Sequence, residues 1–279
     1  MNPHAAVRTS PLALANGLWI NRELILAMVK REVVGRYRGS VMGLLWSLLT
    51  PLLMLVVYTF VFSVVLKARW SGGGAAVEES RAQFAIMLFA GLIVHGIFAE
   101  VANRAPNLML GNVNFVKRVV FPLEILPVVA AGAALFHAAV SLAVLLGAVF
   151  VATGSIPWTA LLFPLVLVPL LMLTLGVAWV LASLGVFMRD VGQVVGLLTT
   201  VLLFLSPVFF PITAVPESFR PWMQVNPLTF AIEQSRALLI FGELPAWQDW
   251  LVYTAATGVV AWAGYAWFQK TRKGFADVL

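Results

Sequence analysis

The sequence contains no cysteine and little charge. Without cysteine, a disulfide framework and a metal site built from thiolates are both excluded. Charged residues make up 11% of the 279 residues, whereas a soluble domain has roughly 25%. Hydrophobic residues make up 61%, and the mean hydropathy is +0.96. The composition therefore excludes a soluble globular domain and indicates an integral membrane protein.

Motifs that would give the chain a chemistry of its own are also missing. No G-x-x-x-x-G-K-[ST] sequence occurs, so the chain does not cradle nucleotide phosphates in that way. His95 and His137 fall in different hydrophobic stretches without a carboxylate at ligand spacing, which disfavours a metal site. The acidic residues are scattered, whereas a membrane-embedded transferase needs a cluster of them. We expect no catalytic residue, no metal and no cofactor in this chain, and a transferase is the less favoured alternative.

Long stretches without charge predict six transmembrane helices. Between Arg38 and Lys67 lie 28 uncharged residues, which would form about 42 Å of helix at ~1.5 Å per residue and cross a hydrocarbon core of about 30 Å. Each such stretch must form a helix, because a backbone in lipid has to satisfy its own hydrogen bonds. The expected fold class is an all-α integral membrane protein. The predicted spans are residues 41–66, 83–103, 125–152, 157–187, 192–212 and 250–269.

Basic residues are distributed unequally between the two sides of this predicted bundle. Thirteen of the 18 lysines and arginines fall on one side and five on the other. Because basic loops stay in the cytoplasm, both termini are expected there. No apolar core precedes the Ala-Leu-Ala sequence at residues 13–15, so we expect no cleaved signal peptide. The same asymmetry accounts for the net charge of +6 without a nucleic-acid partner.

Residues 217–249 do not follow the pattern of the spans. Charged residues interrupt apolar pieces that are too short to cross, and five prolines between positions 207 and 227 break the helix ladder. We predict a pair of short re-entrant helices at residues 217–243, on the outer side between spans five and six. Such helices are tolerated only where protein or a watery cavity surrounds them. An ordinary surface loop is the alternative.

Several motifs, in order along the chain, resemble one known family. They are RYRGSVMGLLWSLLTPLLMLVVYTFVFS in span one, RAPNLMLGNVNFVKRVVFPLEILPV between spans two and three, GVFMRDVGQ after span four, LSPVFFPITAVP and NPLTFAIEQSR later, and the tail FQKTRKGFADVL. Together they resemble the permease subunit of ATP-binding-cassette polysaccharide exporters, and the O-antigen branch is nearest. The resemblance covers essentially the whole chain, so residues 1–279 are interpreted as a single transmembrane permease domain.

The resemblance implies a function and an assembly. A homodimer of this chain would join two copies of a separate cytoplasmic ATPase, which would hold ATP and Mg. The complex would export a lipid-linked polysaccharide across the bacterial inner membrane, with undecaprenyl diphosphate as the expected anchor. Export of another substrate, such as capsule, teichoic acid, a drug or another lipid, is the alternative. The resemblance also implies an N-terminal interfacial helix at residues 12–35.

Residues 104–118 form a cytoplasmic segment between spans two and three. By resemblance this is the coupling helix, and an amphipathic helix here would dock in a groove of the ATPase through apolar anchors. A loop anchored on the lipid surface by its two last basic residues is the alternative. The candidate coupling residues are Asn103, Arg104, Asn107, Leu108, Asn112, Phe115, Lys117 and Arg118.

Arg36 and Arg38 stand at the inner end of span one, with Tyr37 between them. Setting the topology and pairing with lipid phosphates would suffice to explain both arginines. Alternatively, with Tyr37, they receive the phosphates of the lipid anchor by charge-assisted hydrogen bonds. Both interpretations stay open. Aromatic rings in or beside the spans are further candidates, because a subset facing the dimer axis would stack on sugar rings, and these are Trp46, Tyr58, Phe62, Phe98, Phe209 and Phe210.

Overall fold

The computed structural model describes residues 9–66, 81–117 and 121–279. Within these ranges the chain forms helices and turns, and no strand. The predicted all-α membrane fold is confirmed. The helices are α1 Pro11–Ile20, α2 Arg22–Arg36, α3 Leu45–Tyr58, α4 Arg81–Arg104, α5 Val113–Lys117, α6 Ile125–Thr153, α7 Phe163–Phe187, α8 Val191–Leu205, α9 Arg220–Val225, α10 Thr229–Arg236, α11 Trp247–Thr271 and α12 Phe275–Val278.

Five helical segments are long and apolar enough to cross a membrane, among the residues that the structure describes. They correspond to predicted spans one, two, three, four and six. A π-helical stretch, Thr59–Val65, extends α3, and a 3₁₀ turn, Trp158–Leu162, precedes α7. The segments are Leu45–Phe62, Gln83–Asn107, Ile125–Thr153, Trp158–Phe187 and Trp247–Val278.

The predicted fifth span is shorter than expected. Helix α8 has 15 residues, or about 22 Å at ~1.5 Å per residue, which is less than a hydrocarbon core of about 30 Å. It ends because Ser206 is extended, with φ −97° and ψ 153°, and Pro207 disfavours the helical conformation in the residue before it. The prediction of a helix over residues 192–212 is therefore wrong in its last third, from residue 206 onward.

The N-terminal helix expected at residues 12–35 is two helices instead of one. Helices α1 and α2 meet at Asn21 with a bend of 67°. The Asn21 side chain donates a hydrogen bond to the Gly17 carbonyl at 2.8 Å and so competes with the helical pattern of the backbone. Helix α2 continues beyond the bend and packs against α6. The bend places the end of α2, with Arg36, beside the transmembrane bundle.

The region between α8 and α11 contains the short helices expected at residues 217–243, namely α9 and α10. Arg236 at the end of α10 is 1% exposed. It donates to the carbonyls of Met87 (3.0 Å), Pro207 (2.6 Å) and Val208 (2.9 Å) and pairs with Glu233 at 2.9 Å. Burial lowers the pKa of Arg236 to about 10, so the guanidinium stays charged at neutral pH. This one side chain connects α10 to α4 and to the chain after α8.

Helices α7 and α11 are in direct backbone contact. A Cβ atom on Gly264 of α11 would overlap the carbonyl of Gly176 on α7, and a Cβ on Gly176 would in turn overlap Val260. Small residues allow such backbone contact between helices in membranes. The two helices therefore pack as one unit.

Candidate functional site

A cavity of about 370 Å³ lies between the end of α2 and helices α3, α4 and α6. Its wall is apolar along Met54 of α3 and Leu92 and Ile93 of α4. At the other end the lining becomes polar, with Arg36, Tyr37, Glu100 and His137. The cavity therefore joins an apolar wall to a charged end, which is the combination that a lipid carrying an anionic group requires.

The charged end is built around the carboxylate of Glu100. Arg36 Nη1 donates to Glu100 Oε1 at 2.5 Å, and His137 Nδ1 lies 3.1 Å from both carboxylate oxygens. Because a carboxylate only accepts hydrogen bonds, we assign the Nδ1 proton of His137 to this contact. The 3.2 Å approach of Arg36 Nη1 to His137 Nδ1 is then a close contact of two donors. Glu100 is consequently the group that holds Arg36 and His137 together.

Arg104, one turn further along α4, reaches the same carboxylate. Its Nη1 lies 3.7 Å from Glu100 Oε1, and its other amino group pairs with Glu32 of α2. We call Glu32, Arg36, Glu100, Arg104 and His137 the ion cluster. A second cavity of about 450 Å³ touches this cluster from the side of α2 and α6. With a neutral histidine, the two arginines and two glutamates balance in charge.

Sequence reasoning found Arg36 but missed Glu32, Glu100 and His137 as partners. The predicted span two, residues 83–103, contains Glu100, and α4 does continue past it to Arg104, but the sequence assigned no role to this carboxylate. An ionisable residue inside an apolar span is itself a signal of function, because burying it is costly unless it is paired. That signal would have identified Glu100, whereas its partners come from α2 and α6 and depend on the tertiary fold.

Three of the predicted substrate-binding residues, Arg36, Tyr37 and Tyr58, line the cavity. Tyr37 also packs edge-on against His137, with ring centroids 6.2 Å apart. Arg38 and Trp46 are exposed and lie outside the cavity lining. The two basic residues that look equivalent in sequence are therefore in different environments, one paired in the cavity and one on the surface.

The remaining aromatic candidates do not line the cavity. Phe98 is 5% exposed and belongs to the core between α4, α7 and α10, so it is not available to a ligand. Phe62 stacks on Phe209 at 6.0 Å and lies 6.5 Å from Tyr58, and Phe209 continues to Phe204 at 5.4 Å. We call Tyr58, Phe62, Phe209 and Phe204 the aromatic row. Phe210, next in sequence, is half-buried.

The predicted coupling segment is not a continuous amphipathic helix. It consists of two 3₁₀ turns, Ala105–Asn107 and Leu110–Asn112, followed by the five-residue α5. Leu108 is buried in the core of this chain, and the prediction that it is an exposed apolar anchor is wrong. Leu108 belongs to the same buried cluster as residues of α6 and α7, such as Leu126 and Ala182.

The other candidate coupling residues differ in their surroundings. Phe115 is half-buried and stacks on Phe121 at 4.3 Å. Asn103 accepts a hydrogen bond from Thr199 of α8, and the Asn112 amide donates to the Leu108 carbonyl. Arg104 belongs to the ion cluster, and Arg118 lies outside the described residues. Exposed positions of the segment, available to a partner, are Asn107, Gly111, Asn114 and Lys117.

The segment is attached directly to α7. A Cβ on Gly185 would overlap the carbonyl of Pro106, so backbone meets backbone at this point. The C-terminal α12 packs at the same end of the molecule, where the buried Phe275 contacts Phe187 and Phe268. This end is therefore held together by apolar and backbone contacts.

Within residues 9–66, 81–117 and 121–279, no group of three potential metal ligands occurs.

The chain was compared with known proteins. It is 29% identical over 271 residues to the O-antigen export system permease protein RfbA of Myxococcus xanthus, a match that covers 95% of this chain and 99% of that protein. It is 25% identical to RfbA of Klebsiella pneumoniae (92% and 95% covered) and 25% identical to the polysialic acid transport protein KpsM of Escherichia coli (81% and 85% covered).

These similarities extend over the spans and the segments that connect them. Residues 23–240 match the family described as ABC-2 type transporter. This range runs from α2 to the π-helical turn Ala237–Phe241, which follows α10. The matched range includes the cavity, the ion cluster and the coupling segment. The resemblance inferred from the sequence motifs is thus confirmed, and the chain belongs to the ABC-2 type transporter family of membrane subunits.

Proposed function

We propose that this chain is the membrane subunit of an ATP-driven exporter that carries a lipid-linked polysaccharide across the bacterial inner membrane. The family and the export functions of its relatives support this proposal. The structural observation that carries it is the cavity, in which an apolar wall leads to Arg36 and Tyr37. A lipid anchor with a phosphate group matches both parts.

ATP is hydrolysed by a partner in this proposal. No phosphate-binding loop occurs in the sequence, so the ATP and Mg belong to a cytoplasmic ATPase subunit, present in two copies on a homodimer of this chain. The exposed positions of the coupling segment, such as Asn114 and Lys117, form the contact with that partner. Phe115 stacks on Phe121 and so holds this contact surface in place.

The substrate divides between two regions of the subunit. Arg36 and Tyr37 receive the anionic headgroup, where undecaprenyl diphosphate is the expected anchor, while Arg38 acts at the membrane surface on topology and lipid phosphates. The aromatic row starts at Tyr58 in the cavity wall and provides flat faces against which sugar rings can stack. Phe209 and Phe62 form its middle. This arrangement suits a polymer with a phosphate at one end.

Capsule polysaccharide is the second candidate substrate. One relative, whose match covers 81% of this chain, is a polysialic acid transport protein. The contacts proposed for the cavity involve the lipid and its phosphate and not the sugar sequence. The two candidates differ in the anchor and the polymer, and both use the same mechanism. Deleting the gene should leave the lipid-linked polymer inside the cell, and its chemical analysis identifies which polymer it is.

The central test replaces Arg36. A charge-assisted hydrogen bond contributes about 1.5–3 kcal/mol, or roughly ten- to a hundredfold in affinity, so Arg36→Gln should reduce export by that order. Arg36→Lys keeps the charge but loses the planar guanidinium, so its export should lie between that of the wild type and that of Arg36→Gln. Polymer at the cell surface is quantified together with the amount of permease in the membrane. Arg31→Gln, an exposed arginine of the same helix, is the control.

Full export by Arg36→Gln at normal membrane levels would contradict the role of Arg36 in recognising the phosphate. If Arg36→Gln folds normally and still exports the polymer, only the assignment to the transporter family stands.

A further test concerns the orientation of the chain. Because the protein has no cysteine, single cysteines report on one position each. Val278→Cys, in the C-terminal helix, should resist an impermeant thiol reagent in intact cells, whereas Ser155→Cys, between α6 and α7, should react. Labelling of Val278→Cys in sealed cells would overturn the cytoplasmic location of the C-terminus.

A further inference from the structure

We propose that Glu100 is a built-in competitor for the anionic ligand: its carboxylate pairs with Arg36 and approaches Arg104, which Glu32 also holds, and a lipid diphosphate displaces it. Arg104, rather than Arg38, is then the second cation of the site. This inference rests on the proposed function, because it assumes that the ligand of the cavity carries phosphate.

The first step is geometric. Arg36 and Arg104 come from different helices, yet both approach the same oxygen, Oε1 of Glu100, at 2.5 and 3.7 Å. One anionic oxygen can therefore be reached by both guanidiniums at once. Arg38 is exposed and makes no ion pair within the described ranges, so nothing in the structure directs it to this point.

The second step concerns charge. Arg36 is paired with Glu100 and Arg104 with Glu32, so the ion cluster carries no net charge while His137 is neutral. A neutral cluster gives an anion no attraction unless a carboxylate moves away from its arginine. Two arginines that each hold one carboxylate match a ligand with two neighbouring phosphates, because each phosphate replaces one carboxylate.

The third step concerns access. Arg36 has 54% of its side chain exposed, whereas Glu100 has 20%. A ligand that enters the cavity thus meets Arg36 first and reaches Glu100 only behind it. The Nε2 atom of His137 is buried and has no hydrogen-bond partner among the residues described. With the proton on Nδ1, this atom is a hydrogen-bond acceptor and does not attract an anion.

The fourth step links the site to the ATPase contact. Arg104 is the last residue of α4, and the turn Ala105–Asn107 follows it directly. That turn is held against α7 where Gly185 meets Pro106. When Arg104 exchanges a carboxylate for a phosphate, the change therefore occurs at the first residue of the coupling segment. By linkage, the ligand and the ATPase contact then influence one another reciprocally.

The test measures the affinity of the purified permease–ATPase complex for farnesyl diphosphate, in nanodiscs of uncharged phosphatidylcholine. Glu100→Gln removes the competing charge and keeps the shape, so the affinity should rise about tenfold, the ratio that corresponds to one charge-assisted hydrogen bond. Arg104→Gln should lower the affinity by a similar factor. Arg38→Gln should leave it within about twofold, well below that ratio.

Two matched controls accompany these variants. Glu23→Gln removes an exposed carboxylate of α2 and Arg31→Gln removes an exposed arginine of the same helix, and neither should change the affinity. Glu32→Gln frees Arg104 without touching α4, so it should also tighten binding if Glu100→Gln fails to assemble. In addition, farnesyl diphosphate should stimulate the ATPase of the wild type and not that of Arg104→Gln.

The outcomes separate this inference from the proposed function. If the wild type binds the probe but Glu100→Gln and Glu32→Gln bind it no more tightly, the competitor role is overturned and the proposed function stands. The same conclusion follows if Arg38→Gln weakens binding and Arg104→Gln does not. If neither the wild type nor any variant binds farnesyl diphosphate, phosphate recognition in the cavity fails together with this inference.

Discussion

Helices α3 and α4 are both apolar spans of this subunit, but they differ in how much of the chain covers them. In the most apolar 18-residue stretch of each span, 6% is buried for Leu45–Phe62, which contains α3, and 78% for Gln83–Asn107, which contains most of α4. Leu53 and Val56 of α3 are more than half exposed, while Leu88 and Val94 of α4 have no exposed surface. Hydropathy therefore identifies a span without telling whether it faces protein or its surroundings.

The polar residues of the two helices account for the difference. Those of α3 bond to their own helix, as Ser47 does to Leu44 and Thr59 to Leu55. Those of α4 bond to other helices, as His95 does to the Thr199 carbonyl and Glu100 to Arg36. Because a polar group inside an apolar span needs a partner, each of these polar residues of α4 holds a neighbouring helix against α4. In this protein the central helix is the one with inward polar groups.

The largest expected effect comes from removing the anchor that joins α10 to α4. Arg236→Met would remove a donor from three carbonyls and leave Glu233 without its partner, and breaking a buried pair in this way costs about 3–5 kcal/mol. Arg220→Met is the matched control, since Arg220 also pairs with a glutamate three residues before it but is 37% exposed, so about 1 kcal/mol or less is expected.

Thermal unfolding of the purified subunit in detergent measures both variants. Arg220 also donates to two carbonyls, those of Thr213 and Val215, so equal losses of stability would show that burial of the Arg236 contacts adds nothing to what exposed contacts contribute.

A smaller effect is expected from matched truncations on the two helices. Leu88→Ala on α4 should cost about 2–5 kcal/mol, because it leaves a cavity in a closed core. Leu53→Ala on α3 should cost less than about 0.5 kcal/mol in the isolated subunit. Unfolding by detergent titration gives both values.

The second variant also tests the proposed homodimer. If a second copy covers α3, Leu53→Ala should weaken the association of two subunits while the isolated subunit keeps its stability. A large loss of stability in the isolated subunit would contradict the difference between α3 and α4.

The smallest effect concerns one polar contact between α4 and α8. Thr199→Val removes the hydroxyl that donates to Asn103 and should cost about 1 kcal/mol. Thr200→Val, next to it, removes a hydroxyl that bonds only within α8, and it should be nearly neutral. Comparable melting temperatures for the two variants would show that this contact does not hold α4 and α8 together.

The sequence predicted most of the spans because charge-free length is a local property. Where it failed, the cause was a local break within an apolar stretch. Pro207 ended α8 early by making Ser206 extended, and the Asn21 side chain ended α1. Pro207 is visible in the sequence as a helix breaker, yet the predicted span continued past it to residue 212, and a single asparagine such as Asn21 does not by itself predict a break.

The candidate site was less predictable because it depends on contacts between distant parts of the chain. Arg36 was found from its position at the end of a basic stretch, but its partners Glu100 and His137 lie 64 and 101 residues away in sequence. The exposure of Leu108 was predicted wrongly because its local sequence fits two environments. An apolar residue beside asparagines suits an exposed anchor and a buried residue equally well, and only the packing against α6 and α7 distinguishes the two.

The close contact of α7 and α11 has a consequence for the order in which the protein is made. Helix α11 is synthesised after α7, and until it emerges the backbone at Gly176 lacks the helix that covers it. The same helix contacts the start of the described chain, because Trp262 donates a hydrogen bond to the Thr9 carbonyl at 3.0 Å. A chain that stalls before α11 therefore leaves this surface of α7 uncovered, and neither α7 nor the chain at Thr9 reaches its final packing.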